Sequence, residues 1–151
     1  MVLSHTGVEL KSSPIEPSWV LDGKPAARNS ELWRSRDGTS CTLIWDCAPG
    51  KFVWHYDTEE TIHILEGVVV LNDGNGPERR VGPGDVVLFP AGAKVHWHVI
   101  EHVRKLAFFR RPLPKPVEVV LRGLRRVKNA VKGNKAPAKG WMNEPEAAAL
   151  N

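Results

Sequence analysis

Two stretches of this chain concentrate side chains that can do chemistry. The first, Gly50 to Gly67, carries His55, Asp57, Glu60 and His63 together with Trp54 and Tyr56. The second, Gly82 to Trp97, ends on Val95, His96 and Trp97, with His98 immediately after. Imidazoles and carboxylates are the ligand types that suit iron, manganese, nickel and zinc. Glu60 offers a different chemistry, because an acid enclosed by rings is pushed toward its neutral form and can act as a general acid or base. Aromatic walls around one acid also suit a flat or cationic small molecule. One acid without a second titrating partner is weak ground for catalysis, so Glu60 stands as a candidate acid or base and no catalytic residue is assigned.

The elements that position these residues are short strands. Thr42 to Trp45 runs to the turn Ala48-Pro49-Gly50, and Phe52 to Tyr56 ends at an acidic stretch. Ile62 to Leu65 meets Gly67, and Val68 to Leu71 ends in an Asn-Asp-Gly-rich turn. Val86 to Phe89 is closed by Pro90-Ala91-Gly92, followed by Val95 to Ile100 and Leu106 to Phe109. Closely spaced β runs with turn signals between them predict an all-β sandwich or barrel and argue against a βαβ fold. Residues 1–29, polar and punctuated by Pro14, Pro17 and Pro25, read as a loosely attached N-terminal arm, and residues 30–110 as the barrel. Residues 111–151 read as a Pro-rich linker, a basic amphipathic helix and a mobile tail. In that helix Val117, Val120, Leu121, Leu124, Val127 and Val131 recur at helical spacing among Arg and Lys.

Composition bounds the function. A length of 151 residues supports one domain with a single core, and no run of eighteen apolar residues exists for a membrane span. The N-terminus has no charged region leading into an apolar stretch, so no secretory signal is expected. Two cysteines, Cys41 and Cys47, are too few for a disulfide framework, which points to a reducing cytoplasm. The net charge of +4 is uneven: eleven Lys and Arg stand against fourteen Asp and Glu through Phe109, and ten against three from Arg110 onward. Attraction to nucleic acid or an anionic membrane is therefore a property of the basic helix alone, and packing on the barrel or a partner subunit is the favoured role for its apolar stripe.

Glu60-x6-Gly67 and Gly84-x5-Pro90-x-Gly92 resemble the two motifs of the cupin superfamily, G-x5-H-x-H-x3,4-E-x6-G and G-x5-P-x-G-x2-H-x3-N. Trp33 with Asp37-Gly38, Trp45, Pro49-Gly50, Leu65-Glu66-Gly67, Trp97 and Val103-Arg104-Lys105 are similar to a small single-domain branch. That branch contains ureidoglycine aminohydrolase and the ethanolamine-utilisation cupins. The resemblance implies an RmlC-like jelly roll (a cupin double-stranded β-helix) over residues 30–109. It also implies a divalent metal held by two His and a Glu of the first motif and one His of the second. Here those positions fall on Trp54, Tyr56, Glu60 and Val95, and the final Asn position falls on Val99, so only Glu60 remains of four ligands.

Strand alternation then sets two expectations. With Trp54, Tyr56, Glu60, Val95 and Trp97 facing inward, the barrel holds an aromatic ligand pocket and no conventional metal. A one-residue slip instead turns His55 and Asp57 inward and offers a nonstandard metal set of His55, Asp57, Glu60 and His96. The leading function is binding of a small organic ligand, and the alternative is a metal-dependent small-molecule enzyme of the aminohydrolase or isomerase kind. A salt bridge to Arg104 or Lys105 competes for Glu60. On the outer face, His55, His63, His96 and His98 could gather as a surface metal site or a subunit contact sensitive to protonation, and a homodimer is expected.

Overall fold

The computed structural model describes Met1 and residues 3–112. Nine strands follow one another: β1 (Lys11–Ser12), β2 (Val20–Gly23), β3 (Ala27–Arg34), β4 (Ser40–Cys47) and β5 (Gly50–His55), then β6 (Glu59–Asn72), β7 (Arg79–Val81), β8 (Val86–Phe89) and β9 (Lys94–Arg110). A 3-10 turn over Pro17–Trp19 leads into β2. All pairings are antiparallel, in the order β1-β3-β4-β9-β5-β2, with β6 pairing β7, β8 and β9. The jelly-roll expectation holds for these residues.

Two long strands curl the sheet. The runs expected as 62–65 and 68–71 are one strand, β6, and those at 95–100 and 106–109 are one strand, β9. They pair with each other over most of their length, and their register shifts between Ile64 and Glu66 and again between Gly67 and Val69. Gly67 sits at the second shift with φ +78°, and a Cβ there would lie 1.8 Å from the His102 carbonyl oxygen. Glycine is therefore what lets β6 bend against β9 without breaking. Beyond the bend β9 passes from β4 to β5 as its second neighbour, which closes the barrel.

The stretch read as an arm is tied into the sheet. β1 pairs β3, β2 pairs β5, Ile15 is buried in the core, and the Trp19 ring meets Trp54 edge-on at 5.5 Å. Polar, Pro-rich sequence hides such attachment because each paired segment is only two to four residues long. The expected linker, basic helix and tail lie outside the described residues, apart from Arg111 and Pro112. Among the described residues no helix is long and apolar enough to cross a membrane.

The inward faces form one core. Trp45 and Cys47 of β4, Phe52 of β5, Ile62 and Ile64 of β6, Phe89 of β8, and Val95, Trp97, Val99, Val103 and Ala107 of β9 are all buried in it. The β9 series keeps odd numbers throughout, and Lys105 falls inside that series. Its position in the strand, more than its chemistry, carries it indoors.

Candidate functional site

The five residues expected to line the barrel face inward. Tyr56, Glu60, Val95 and Trp97 are buried and Trp54 is half-buried against the core. The second motif's turn fixes the end of this row. Gly92, at φ +89°, donates its N–H to the Tyr56 carbonyl, and Tyr56 donates its own to the Ala93 carbonyl. The Tyr56 ring stacks on Phe89 with centroids 4.5 Å apart. Phe89 lies directly across from Glu60 in the β6–β8 register.

Glu60 and Lys105 meet at the centre. Lys105 Nζ donates to Glu60 Oε1 at 2.7 Å, with Lys105 5% exposed and Glu60 1%. The ammonium also lies over two indole rings, 4.7 Å from the Trp45 centroid and 4.6 Å from that of Trp97. The box of rings that would suit a cationic ligand thus already holds a cation, supplied by β9. Burying two charges costs several kcal/mol each in lost hydration, on the order of what their attraction returns. The ring faces replace part of the hydration of the ammonium. The carboxylate is less well served, because Glu60 Oε2 is buried with no hydrogen-bond partner among the described residues.

Two further groups define the chemistry. Trp97 Nε1 donates to the Tyr56 hydroxyl at 3.2 Å. Burial, and then the charge of Glu60, hold the Tyr56 hydroxyl well above the ordinary phenol range, so it stays protonated and is available as a donor. Cys47, also inward, is pushed up to about 12 by burial and then by the Asp46 carboxylate. Its Sγ donates to the Ala48 carbonyl at 3.3 Å, and as a buried thiol it is a poor nucleophile.

A cavity of about 730 Å³ opens beside this centre, between the β6–β7 and β8–β9 connections. Leu71, Val81, Phe89 and Val95 give it apolar walls, and Arg79 and Lys94 are among its outer lining. Phe89 belongs both to this wall and to the ring stack over the polar centre. Of the five expected pocket residues, Val95 alone lines the cavity; Glu60 is in the ion pair, Trp97 lies against its ammonium and bonds Tyr56, and Trp54 packs on Trp19, Trp45 and Phe52.

The slipped metal set does not assemble. Glu60 points inward, whereas Asp57 and His96 are exposed and the His55 ring packs on Trp19 at 4.9 Å. The four-histidine cluster is likewise not formed. His63 pairs with Val86 and Leu106, while His98 pairs with Lys51 and Val70, seven residues further along β6. Among the described residues no three His, Cys, Asp or Glu side chains gather in a way that could hold a metal. Facing alternation was a sound guide to each strand, but it says nothing about position along the strand, and distance along β6 separates the histidines.

Of the two salt-bridge partners expected for Glu60, Lys105 is the one used. Arg104, one residue away, faces out and approaches Asp46 at 3.6 Å. Asp46 is itself buried beneath Arg28, whose Nε and Nη2 donate to its two oxygens at 3.0 and 2.7 Å. Sequence reasoning passed over Asp46; the register Arg28–Asp46–Arg104 across β3, β4 and β9 would have revealed it only once the pairing was known.

Residues 34–107 match the family model of the EutQ-like cupin domain. Among solved structures, the chain is similar to a DUF861-family protein of unknown function from Pseudomonas syringae, with 28% identity and TM-score 0.64 over 70% of this chain and 46% of that one. It is also similar to a putative ethanolamine utilisation protein EutQ from Salmonella typhimurium, with 19% identity and TM-score 0.51 over 71% and 98%. A predicted oxalate decarboxylase from Thermotoga maritima gives 17% identity and TM-score 0.57 over 74% and 100%. The chain therefore spans less than half the length of the Pseudomonas protein. No curated protein matches it. At the four positions where a cupin of the usual kind holds its metal, Trp54, Tyr56 and Val95 offer no ligand of the usual His type and Glu60 is bound to an ammonium. These residues do not fit such a metal.

Proposed function

Starting from a chain that carries a small cupin domain of the EutQ-like branch, we propose that it binds a small organic molecule in its barrel. In this reading the Glu60–Lys105 pair stands where other cupins use a metal. The observation that carries it is the orphaned Glu60 Oε2, a buried carboxylate oxygen with no hydrogen-bond donor among the described residues. Leaving such an atom unpaired costs about 1–3 kcal/mol, more for a charged group, and a ligand N–H or O–H supplies what is missing. The protonated Tyr56 hydroxyl adds a donor near the same charge, so a molecule carrying both a donor and an acceptor satisfies both groups. Phe89, shared between the cavity wall and the ring stack, makes the 730 Å³ cavity the route of entry.

The test is a thermal-shift and tryptophan-fluorescence screen of small polar organic compounds against wild type, Glu60→Gln and Phe89→Leu. A ligand at a hundred times its Kd raises stability by about 2.7 kcal/mol, an easily read shift. The expected result is a saturable ligand that quenches indole emission, loses about tenfold or more in affinity in Glu60→Gln, and binds with altered affinity in Phe89→Leu. A ligand indifferent to both substitutions, or no ligand across a broad panel, overturns the reading.

A further inference from the structure

The strand register places a cation at the mouth of the barrel. Direct cross-strand partners share one face of a sheet. Arg79 of β7 stands opposite Leu71 of β6, Leu71 opposite Trp97 of β9, and Trp97 opposite Phe52 of β5. Leu71, Trp97 and Phe52 are buried in the core, so Arg79 is the outermost member of an inward-facing row. Val81, two residues on, follows the same alternation and is buried as well. Arg80 between them belongs to the outer face, opposite Val70 and then His98.

Other arginines of the sheet are matched with carboxylates. Arg28 and Arg104 meet Asp46, Arg34 meets Glu31, and Arg110 meets Glu59. Among the described residues Arg79 is in no ion pair, and neither is Lys94, which lines the same cavity. A guanidinium without a carboxylate, set beside an apolar wall, offers its fork of donors to an anion. Asp73 is the third charged residue of the lining. Its Oδ1 accepts the Asn75 backbone N–H at 3.0 Å, and that bond, ahead of the charge of Arg79, holds its carboxyl below the usual range. Two cations against one ionised acid leave one net positive charge, which suits a carboxylate better than a phosphate dianion.

We infer that the cavity takes a carboxylic acid with an aromatic or aliphatic body. Its carboxylate sits on Arg79 and Lys94 at the mouth, and its body lies between Leu71, Val81 and Phe89. This assignment rests on the reading that the cavity is where the ligand enters, and names the ligand's class. The volume of about 730 Å³ is in the range of small-molecule sites. Two strand spacings separate Arg79 from Trp97, on the order of 10 Å, so an acid of roughly that length reaches from the mouth to the ring stack.

Calorimetric titration of the full chain with 4-hydroxyphenylacetate, phenylacetate and hexanoate, each beside its primary amide, tests this. Acid and amide match in shape and differ in charge. At least one acid is expected to bind about tenfold or more tighter than its amide, a preference that high salt weakens and Arg79→Gln removes. Arg80→Gln makes the same change of net charge on the opposite face and should keep the preference. Both substitutions are at exposed positions and should leave the circular-dichroism spectrum unchanged. Acids that depend on Arg79 but ignore Glu60→Gln overturn the role proposed for Glu60 and uphold this one. Amides that bind as tightly as their acids overturn the inference while leaving the barrel a ligand site. So does a preference that Arg80→Gln removes as fully as Arg79→Gln, or the failure of all three acids to bind.

Discussion

Lys105 Nζ lies 2.7 Å from Glu60 Oε1, inside a barrel whose walls are otherwise aromatic and aliphatic, and the other oxygen of that carboxylate meets no donor among the described residues. The two residues come from β6 and β9, which pair with each other, and each is on the inner face by alternation alone. Their pairing puts one charge of each sign in a core that is otherwise apolar. The consequences are energetic before they are functional.

Removing one partner leaves the other charge buried. Lys105→Met keeps much of the side chain's volume but strands the Glu60 carboxylate, and urea denaturation should show a loss of about 3–5 kcal/mol. The double substitution Glu60→Leu with Lys105→Met should return the midpoint to within about 1 kcal/mol of wild type, or raise it, because replacing a buried pair by apolar residues is commonly neutral or better. A single variant as stable as wild type would show that the carboxylate is hydrated after all.

Alkaline pH should weaken the fold. Tyr56 is held well above 10.0 by burial and then by Glu60, and Cys47 is raised from 9.0 to about 12 by burial and then by Asp46. Above these ordinary values the unfolded chain sheds protons that the folded chain keeps, so stability falls as pH rises. The contribution of Cys47 is complete below pH 9 and is lost between pH 9 and about 12; that of Tyr56 is lost from pH 10 upward. Urea midpoints at pH 8, 9.5 and 10.5 should decline steadily, and Cys47→Ala should flatten the part that begins at pH 9.

The two thiols should also separate kinetically. Cys47 is buried and bonded to the Ala48 carbonyl, whereas Cys41 is half-buried. A disulfide reagent at pH 8 is expected to titrate Cys41 in the native protein and Cys47 only after denaturant is added. Equal native rates would contradict the packing around Cys47.

Glycine positions give a matched pair. Gly67→Ala forces a Cβ to 1.8 Å from the His102 carbonyl oxygen, so β6 or β9 must move. The expected cost is above about 3 kcal/mol, among the large values for a single substitution. Gly38→Ala has a similar φ of +68° but open space around it, and should cost about 1 kcal/mol, near the low end for a left-handed backbone. Thermal midpoints of the two variants compare them directly.

Most of the barrel was legible in the sequence, for reasons that mark where legibility ends. Val86 to Phe89 was bounded by turn residues on both sides and was read to the residue. At Gly67 the same signal misled, because a glycine inside a long bent strand looks like one that ends it. The inward set Trp54, Tyr56, Glu60, Val95 and Trp97 followed from the two-residue period once one member was fixed. That the rings would pack on Lys105 and leave the cavity to Val95 and Phe89 was not legible, because packing depends on which strands are neighbours. The same gap separated the histidines that alternation had put on one face. Asp46 belongs to this class, since it becomes visible only when register is known.

Lys105 is an internal cation held by Glu60 between two indoles. The most direct measurement is the NMR spectrum of the protein labelled with ¹³C at the lysine ε-carbon. Lying over the faces of Trp45 and Trp97, the Lys105 ε-methylene protons should resonate well upfield of every other lysine, and that signal should disappear in Lys105→Met and shift in Glu60→Gln. A spectrum in which all lysine ε-protons fall at the position of solvated lysine would contradict this placement of Lys105.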